Sequence, residues 1–421
     1  MIVLYRFLTF IASPFVPLLL KRRLARGKED AARLPERMGV ASRPRPSGKL
    51  MWIHAASIGE ANAVLPLIVE LLKQHEQLHI LLTTVTVTSA KLMGAALPER
   101  AMHQFAPVDT PQAVNAFLNH WRPDLAFWVD SEIWPNMIYA THARGTVMGI
   151  VNARMSERSF NRWRRLDGFM RGLLSSFTFC FAQSEADAQR LQLLGMKSIT
   201  RIGNLKYDAP PLPCDENELM RLRAMVKGRP VWVAASTHPG EEASIAQIHT
   251  ALKSDGTPKV LTIVVPRHAS RAEEVARALA PLHTARRSER DPILDDTDVY
   301  LADTMGELGL FYRLASVAFI GGSLVPHGGQ NPLEAARLGC AVIAGPHMEN
   351  FADIASSMQQ DGALLRVSGA GELALELKRL LPEGAARAGL AAAAQAHVRA
   401  REGILNAVTQ ELQPWLSGGK T

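Results

Sequence analysis

Acidic residues that follow predicted strands are the first candidates for chemistry in this sequence. Glu60 lies in the segment Ser57-Ile58-Gly59-Glu60, directly after the apolar run 50–55 and at the start of a helical stretch. A carboxylate at this place could act as a general base that removes the proton from an attacking hydroxyl. A carboxylate in the first turn also stabilises a helix through its dipole. The residues alone leave both interpretations of Glu60 open.

Two further charged groups follow predicted strands in the first half of the chain. Asp130 and Ser131 come after the apolar run 125–129, where either side chain is predicted to cap the next helix, and capping and catalysis could coexist. Arg154 follows the run 147–151 and could hold an acidic sugar or a lipid phosphate. A surface salt bridge is the alternative for Arg154.

In the second half of the chain, two segments suit a nucleotide. Pro266 and Arg267 follow the apolar run 261–265, and a guanidinium in that place could bind a phosphate with two parallel hydrogen bonds. Met305, Gly306 and Glu307 precede a helical stretch after the run 299–302, where free backbone N–H groups favour a phosphate. A glycine at a helix start is common, so the second segment is a weak signal by itself.

The glycine-rich segment 321–334 is the third candidate. Its glycines free the backbone to wrap a ligand, while Asn331 is predicted to cap the next helix and Pro332 to occupy its first position. Glu334 then falls one turn into that helix, where its carboxylate could accept hydrogen bonds from ribose hydroxyls. A capped connecting loop explains Asn331 but not the whole run of glycines.

Alternating strands and helices are needed to place these residues. Short apolar runs alternate with amphipathic stretches in two series, and the proline-rich segment 208–216 separates them. This alternation predicts two α/β domains, each built from βαβ units around a parallel sheet. We place a first domain at 29–207, a linker at 208–227 and a second domain with C-terminal helices at 228–421. The predicted strands are residues 50–55, 78–85, 125–129, 147–151 and 177–182, then 231–235, 260–265, 299–302, 317–320 and 341–344.

The N-terminus predicts attachment to a membrane. Residues 2–20 are almost wholly apolar and are followed by Lys21, Arg22 and Arg23, so residues 1–28 are interpreted as an uncleaved anchor with a basic flank. The basic flank should stay on the cytoplasmic side. Two prolines and Arg6 within the run keep two forms open, a helix that spans the bilayer and one that lies in its interface.

Bulk composition narrows the classes of function. The chain has 421 residues and a formal charge of +7, but no nucleic-acid-binding motif accompanies the scattered basic residues, so we expect no nucleic-acid partner. Three widely spaced cysteines, Cys180, Cys214 and Cys340, predict a reducing compartment without disulfides or a zinc site.

Taken in order, several motifs resemble the 3-deoxy-D-manno-octulosonic acid (Kdo) transferases of lipopolysaccharide assembly. The likeness covers nearly the whole chain, including the N-terminal anchor. The motifs are Ala56-Ser57-Ile58-Gly59-Glu60, Ser131-Glu132-Ile133-Trp134-Pro135-Asn136, Gly203-Asn204-Leu205-Lys206-Tyr207-Asp208, Ser236-Thr237-His238-Pro239-Gly240-Glu241-Glu242, Pro266-Arg267-His268 and Gly328-Gly329-Gln330-Asn331-Pro332-Leu333-Glu334.

This resemblance implies an α/β protein of the GT-B fold, with two Rossmann-like parallel-sheet domains facing across a cleft, beside the N-terminal membrane-anchor helix. It implies CMP-Kdo as donor and a lipid A precursor such as lipid IVA as acceptor, at the cytoplasmic side of the inner membrane of a Gram-negative bacterium. Membrane lipids would be further partners. No metal or other cofactor is expected, because cationic side chains and helix N-termini could stabilise the donor and the departing phosphate.

The resemblance also implies roles for individual residues. Glu60 would be the general base of an inverting transfer, and Asp130 and Lys206 would stabilise the transition state. Asp130 stands where we expect the longer glutamate. The residues expected to hold CMP are Pro266, Arg267, Met305, Gly306, Glu307, Asn331, Pro332, Leu333 and Glu334.

Two alternatives compete with this interpretation. One is a GT-B relative that uses another nucleotide, such as a UDP-sugar transferase or a non-hydrolysing epimerase, although the hydrophobic N-terminus disfavours a soluble epimerase. The other is a non-catalytic scaffold at the membrane surface, for which the anchor and the basic charge would suffice.

Overall fold

A computed structural model of the chain describes residues 1–130, 132–226, 228–254, 259–382 and 384–416. The chain divides into two compact units. The first unit comprises Met1–Ala209 and the C-terminal segment that begins at Gly403, and the second comprises Pro210–Glu402.

The first unit is built on a parallel seven-stranded sheet. Its strands are β1 (Lys49–His54), β2 (Leu78–Thr84), β3 (Ala101–Phe105), β4 (Leu125–Val129), β5 (Val147–Ala153), β6 (Phe179–Ala182) and β7 (Ile199–Arg201). Their order is β3-β2-β1-β4-β5-β6-β7, so the direction of winding reverses between β1 and β4. Ligands of open parallel sheets bind at the carboxyl ends of the strands at such a reversal.

Helices cover both faces of this sheet, which explains its apolar strands. All five residues of β4 are buried, as expected for a central parallel strand. The helices are α1 (Ile2–Ala12), α2 (Val16–Ala25), α3 (Ile58–Gln74), α4 (Val87–Ala96), α5 (Pro111–Trp121), α6 (Pro135–His142), α7 (Glu157–Trp163), α8 (Asp167–Leu174) and α9 (Glu185–Leu193).

The N-terminal helices α1 and α2 are joined by the 3₁₀ turn Ser13–Phe15, which contains Pro14. Together, residues Ile2–Ala25 form a helical segment of 24 residues that is long and apolar enough to cross a membrane. This agrees with the predicted anchor at the level of length and composition.

A second parallel seven-stranded sheet forms the second unit. Its strands are β8 (Val231–Thr237), β9 (Leu261–Pro266), β10 (Thr284–Arg286), β11 (Val299–Leu301), β12 (Val317–Ile320), β13 (Ala341–Ala344) and β14 (Leu365–Arg366), in the order β10-β11-β9-β8-β12-β13-β14. Its helices are α10 (Glu216–Val226), α11 (Glu241–Ser254), α12 (Ala272–Ala278), α13 (Leu308–Leu314), α14 (Pro332–Arg337), α15 (Ala352–Gln360), α16 (Ala370–Leu380) and α17 (Ala385–Arg399). This sheet differs from the first in that β11 lies between β9 and β10. The reversal lies between β8 and β12.

Four strands were not predicted from the sequence, and they are the four edge strands β3, β7, β10 and β14. An edge strand has one neighbour and is only partly covered, so it lacks the continuous apolar run of a central strand. In β7, for example, Thr200 and Arg201 are exposed. The ten predicted strands are all present, with ends shifted by at most two residues.

The structure differs from the predicted division of the chain in two places. The segment 208–227, interpreted as a linker, contains the helix α10, which belongs to the second unit. The last helix, α18 (Ile404–Leu416), belongs to the first unit, although the sequence analysis counted it with the second domain. It is fixed there because Asp208 accepts a hydrogen bond from Gly403 N (2.8 Å) and Lys49 Nζ donates to Trp415 O (2.8 Å).

Candidate active site residues in the two units

Glu60 is held at the start of α3, directly after β1. Ser57 caps the helix by accepting a hydrogen bond from Glu60 N (3.3 Å). In return, the Glu60 carboxylate accepts hydrogen bonds from Ala56 N (2.8 Å) and Ser57 Oγ (2.6 Å). This reciprocal arrangement resembles a capping box, except that the carboxylate bonds Ala56 N and the Ser57 hydroxyl instead of Ser57 N, and the predicted position of Glu60 in the first helical turn is confirmed.

The surroundings of Glu60 change its proton affinity. Burial, together with the nearby charges of Asp130 and Glu132, raises the pKa of the Glu60 carboxyl to about 7, although the Ser57 and Ala56 hydrogen bonds oppose the shift. A carboxylate whose pKa lies near neutral pH can both be ionised and take up a proton readily. Glu60 therefore has the properties of a general base.

Asp130 follows β4 on the other side of the winding reversal, and it does not cap a helix. α6 begins at Pro135, and its free N–H groups are satisfied by Asp109, which accepts hydrogen bonds from Asn136 N (3.1 Å) and Met137 N (2.9 Å). The capping prediction for Asp130 is thus wrong, because the helix starts five residues later than Asp130. The same prediction for Ser131 lies outside the described residues.

The backbone of Asp130 is left-handed, with φ of 61°. Such conformations cost about 1 kcal/mol or more outside glycine and persist where the surroundings hold them. Here Gln183 Nε2 holds the residue by donating to Asp130 Oδ1 (2.8 Å) and to Asn152 O (2.7 Å), and Asn152 is itself left-handed, with φ of 57°.

The same amide network reaches the turn that carries Lys206. Gln183 Oε1 accepts a hydrogen bond from Asn204 Nδ2 (2.8 Å), and Asn152 Oδ1 accepts one from Leu205 N (2.9 Å). No role was predicted from the sequence for Gln183 or Asn152. Their position directly at or after strand ends was a signal, but a weak one, because polar residues commonly follow strands.

Lys206 lies in the 3₁₀ turn Leu205–Asp208 and is electrostatically coupled to the acids. Burial lowers the pKa of Lys206, while the charges of Asp130 and Glu60 oppose that change. Burial raises the pKa of Asp130, opposed by the charges of Lys206 and Arg154. The structure therefore brings Glu60, Asp130, Lys206 and Arg154 together at the carboxyl end of the first sheet.

In the second unit, Arg267 directly follows β9. Its backbone N–H donates to Thr237 O (3.0 Å), which fixes the turn beside β8. The guanidinium is half-buried, and its charge opposes the burial that raises the pKa of Glu334. Arg267 and Glu334, which are 67 residues apart in sequence, are thus brought together.

The start of α14 matches its prediction. Asn331 caps the helix by accepting a hydrogen bond from Leu333 N (3.1 Å), and Pro332 occupies the first position. Asn331 Nδ2 also donates to Glu334 Oε1 (3.3 Å). Leu333 is fully buried, and its N–H is bonded to the Asn331 side chain.

The segment 305–307 precedes α13, and its glutamate is occupied by other side chains. Glu307 accepts hydrogen bonds from Arg287 Nε (3.1 Å) and from the Thr304 hydroxyl. The Arg287 guanidinium lowers the pKa of Glu307. Met305 is 68% exposed and Gly306 has φ of 86°. The main chain of this segment, rather than the Glu307 carboxylate, is therefore what it offers to a ligand.

Glu241 organises the glycine-rich segment and was not singled out from the sequence. Its carboxylate is fully buried at the start of α11. It accepts hydrogen bonds from His238 N (2.9 Å), Gly322 N (2.7 Å), Ser323 N (3.1 Å) and Leu324 N (3.0 Å). One carboxylate thus joins the end of β8 to the loop after β12.

Close packing also fixes this loop. A Cβ at Gly321 would lie 2.4 Å from Ser236 O, so only glycine fits there. The rings of His238 and His327 lie with centroids 3.7 Å apart, and Gln330 Nε2 is 3.1 Å from His238 Nε2. Burial and the neighbouring positive charges lower the pKa of His238 to about 4, so this ring is neutral at pH 7.

Among the residues that the structure describes, no group of three His, Cys, Asp or Glu side chains has the arrangement of a metal site. The described residues offer three features for chemistry. They are the Glu60 carboxylate with a pKa near neutral pH, the interacting charges of Asp130 and Lys206, and a closely packed, glycine-rich loop in the same unit as Arg267.

Known proteins share both the sequence and the architecture. A model of the Kdo transferase family matches residues 32–209. The chain is 37% identical over 381 residues to a 3-deoxy-D-manno-octulosonic acid transferase of Rickettsia bellii, covering 90% of each chain. It is 34% identical to the transferase of that name from Haemophilus influenzae, covering 98% of each.

Among solved structures, UDP-GlcNAc 2-epimerase from Neisseria meningitidis, bound to UDP-GlcNAc, matches with a TM-score of 0.55 at 13% identity. The match covers 86% of this chain and all of that one. At this level of identity the likeness concerns the fold alone, which is of the GT-B type. The full-length similarity to named transferases, together with the motifs that the structure gathers at the carboxyl ends of its two sheets, identifies the chain as a glycosyltransferase of the 3-deoxy-D-manno-octulosonic acid transferase family.

Proposed function

We propose that this enzyme transfers Kdo from CMP-Kdo to a hydroxyl group of a lipid A precursor such as lipid IVA, with Glu60 as general base. The observation that carries the proposal is the state of Glu60, a half-buried residue whose carboxylate accepts two hydrogen bonds and has a pKa of about 7, at the carboxyl end of the first sheet. The named activity of the relatives supports the sugar that is transferred.

In the proposed step, Glu60 takes the proton of the acceptor hydroxyl as its oxygen attacks the anomeric carbon of Kdo. The bond from that carbon to the phosphate oxygen of CMP breaks, and CMP leaves with the bonding electrons. A single displacement of this kind inverts the anomeric centre. Asp130 and Lys206 would stabilise charge that develops in the transition state, because they are coupled to each other and to Glu60.

The second unit would bind the nucleotide. Arg267 suits the phosphate, and the carboxylate of Glu334 can accept hydrogen bonds from the ribose hydroxyls. Main-chain groups of 305–307 would complete the contacts, since the Glu307 carboxylate is engaged elsewhere, and Asn331, Pro332 and Leu333 would hold Glu334 in place at the start of α14. We propose that transfer needs no metal, because Lys206 and Arg267 can supply the positive charge that the donor and leaving group require.

The reaction is proposed to occur at the cytoplasmic side of the inner membrane. The apolar helical segment Ile2–Ala25 and the exposed Lys21 and Arg22 support this placement, because cationic residues next to an apolar segment stay on the cytoplasmic side.

The decisive experiment is transfer by the Glu60→Gln variant, with the lipid product weighed by mass spectrometry. We expect kcat to fall by a factor of about 100 or more with the KM for CMP-Kdo unchanged, because proton removal is lost while the nucleotide site is untouched. Glu70→Gln is the matched control, since Glu70 lies on the same helix and pairs only with the exposed Gln74 among the contacts described. Transfer by Glu60→Gln at the parent rate would remove Glu60 from the mechanism.

The choice of nucleotide is tested separately. If UDP raises the melting temperature and CMP does not, the enzyme uses a different nucleotide sugar although its fold stays the same.

A further inference from the structure

The N-terminal helices present two different faces. Buried and half-buried residues recur at helical spacing along one face, and this face packs against α5 and α6 of the first unit. The residues of this inner face are Ile2, Tyr5, Thr9, Ser13, Val16 and Leu20. The stripe continues into α2 at Val16 and Leu20, and Leu20 is buried, so both helices turn the same side away from solvent.

Hydrogen bonds attach the inner face. Tyr5 Oη donates to Asp109 Oδ2 (2.9 Å), and Ser13 Oγ donates to Gln112 Oε1 (2.7 Å). Thr9 Oγ1 accepts from Asn136 Nδ2 (3.0 Å). Tyr5, Thr9 and Ser13 are four residues apart, so they lie one above another on the same side of α1 and of the turn that follows it.

Asp109 connects this attachment to the candidate active site. The same carboxylate that accepts from Tyr5 satisfies the N-terminus of α6, through the N–H groups of Asn136 and Met137. α6 begins directly after the segment that carries Asp130. If α1 left the body of the unit, Asp109 would lose the hydrogen bond from Tyr5. Asp109 holds the start of α6, which follows the segment that carries Asp130.

The outer face is apolar. Of the twenty large hydrophobic residues that are exposed in the described part of the chain, ten belong to the first nineteen residues. They are Met1, Val3, Leu4, Phe7, Leu8, Phe10, Ile11, Phe15, Leu18 and Leu19. The exposed cations Lys21, Arg22, Arg26 and Lys28 follow at the end of α2.

A helix that crossed a bilayer would have to place Tyr5, Thr9 and Ser13 in hydrocarbon without their partners on the body. Polar groups without partners are costly there. A helix that lies in the interface keeps those bonds and buries the opposite face in the outer part of the lipid layer. The cations at its end match anionic headgroups.

We propose that Ile2–Ala25 is an interfacial helix that stays docked on the first unit, with its outer face in an anionic lipid surface, and that it does not cross the bilayer. This rests on the proposed membrane location. It makes the N-terminal segment part of the folded enzyme rather than a tether.

A cross-link between the helix and the body tests the docking. In full-length enzyme with Cys214→Ser, the pair Ser13→Cys and Gln112→Cys is bound to vesicles of phosphatidylethanolamine and phosphatidylglycerol and treated with a short bifunctional maleimide. Cys180 and Cys340 are buried and should not react. We expect efficient cross-linking on the vesicles and an unchanged rate of transfer by the cross-linked enzyme.

The matched control pairs Gln112→Cys with Ile11→Cys, which lies on the outer face and is 51% exposed. Its yield should be lower by a factor of about ten, because an outer-face residue points away from α5. Equal yields from the two pairs, no cross-link in vesicle-bound enzyme, or loss of transfer on cross-linking would each overturn the docked arrangement. If the parent enzyme transfers no Kdo, the proposed function fails, whereas transfer without a cross-link rejects the docking alone.

Co-sedimentation identifies what covers the outer face. The parent enzyme should bind vesicles that contain phosphatidylglycerol and bind neutral phosphatidylcholine vesicles at least about tenfold more weakly, because the cations are attracted to an anionic surface and not to a neutral one. Equal binding to both would reject the anionic surface. A dimer that forms through this face and excludes vesicles would assign it to a second copy of the chain instead.

Discussion

At the scale of single residues, neighbours decide what each acid can do. Glu60 and Glu241 both lie in the first turn of a helix after a strand, and burial raises the pKa of both. The Glu241 carboxylate accepts four backbone hydrogen bonds, one from His238 after β8 and three from the loop after β12. The Glu60 carboxylate accepts two hydrogen bonds, and the charges of Asp130 and Glu132 raise its pKa. Glu241 therefore has a structural role, whereas Glu60 is suited to proton transfer.

The pKa of Glu60 predicts the pH dependence of transfer. Burial raises this pKa to about 7, so below neutral pH the carboxyl is protonated and cannot act as a base. We expect kcat to rise as pH increases through about 7 and to level off above it. Asp130→Asn should move the midpoint to lower pH, because the charge of Asp130 raises the Glu60 pKa. A profile that is flat or falling from slightly acidic to slightly basic pH would contradict the assignment.

Gln183 is predicted to position Asp130 without contacting substrate. Gln183→Leu removes the donor to Asp130 Oδ1 and the link to Asn204, so Asp130 and the Lys206 turn lose their common support. We expect kcat to fall by about tenfold or more, since a hydrogen bond to a charged group contributes roughly 1.5–3 kcal/mol, with the KM for CMP-Kdo unchanged.

The control for this experiment is Gln189→Leu, because Gln189 is an exposed residue of α9 that bonds Glu185 on its own helix. Gln183→Glu gives a second readout, since a carboxylate beside Asp130 should raise the pH midpoint of transfer as well as lower kcat. If Gln183→Leu and Gln189→Leu have the same kcat, Gln183 has no positioning role.

At the scale of elements, the carboxyl ends of parallel strands gather residues that are distant in sequence. β1 and β4 bring Glu60 beside Asp130, and β9 and β12 lead to Arg267 and Glu334. The central strands were recognised from sequence because both of their faces are buried. The edge strands were not, because partial exposure removes the apolar pattern on which recognition depends.

The loop after β12 gives a prediction at this scale. Glu241→Gln leaves one oxygen where two accept backbone N–H groups, and it places an NH₂ donor against other donors. We expect the KM for CMP-Kdo to rise by about tenfold while kcat changes less, because the substitution loosens the loop after β12 in the unit proposed to bind the donor and leaves Glu60 unchanged. The measurement is steady-state kinetics with varied donor.

Glu242→Gln is the matched control, because Glu242 is the next residue, is 2% exposed and bonds Thr237 and Arg271 rather than the loop. Both variants should lose stability, but only Glu241→Gln should change donor binding. An equal change in KM for both would mean that the effect is one of general stability.

At the scale of the whole molecule, the chain returns to its first unit at the end. α18 packs on α3 and on the turn that carries Lys206, and Trp415 stacks on Phe179 with ring centroids 5.6 Å apart. The C-terminal helix is therefore part of the support of the proposed catalytic residues, although almost 200 residues of the second unit precede it.

This connection predicts which unit responds to a change in α18. Leu412 is fully buried, so Leu412→Ala should lower the free energy of unfolding of the first unit by about 2–5 kcal/mol. Hydrogen exchange should accelerate in β1 and not in β8. Leu380→Ala, which removes an equally buried side chain from α16, should have the opposite pattern. Faster exchange in β8 after Leu412→Ala would place α18 with the second unit.

The sequence alone was enough to predict the two α/β domains, the central strands, the helices that begin next to Glu60 and Asn331, and the family. These features depend on local composition, on caps within four residues and on motifs that can be matched in order. It also marked the apolar N-terminal segment, but could not choose between crossing the bilayer and lying in its interface.

The remaining features are seen only in the folded protein, because each depends on contacts between distant segments. Gln183 supports Asp130 from 53 residues away, and Glu241 holds Gly322 from 81 residues away. The return of α18 to the first unit and the docking of Tyr5 on Asp109 are contacts of the same kind. No local pattern encodes them, since the partners of a buried polar group are chosen by the packing of the whole unit.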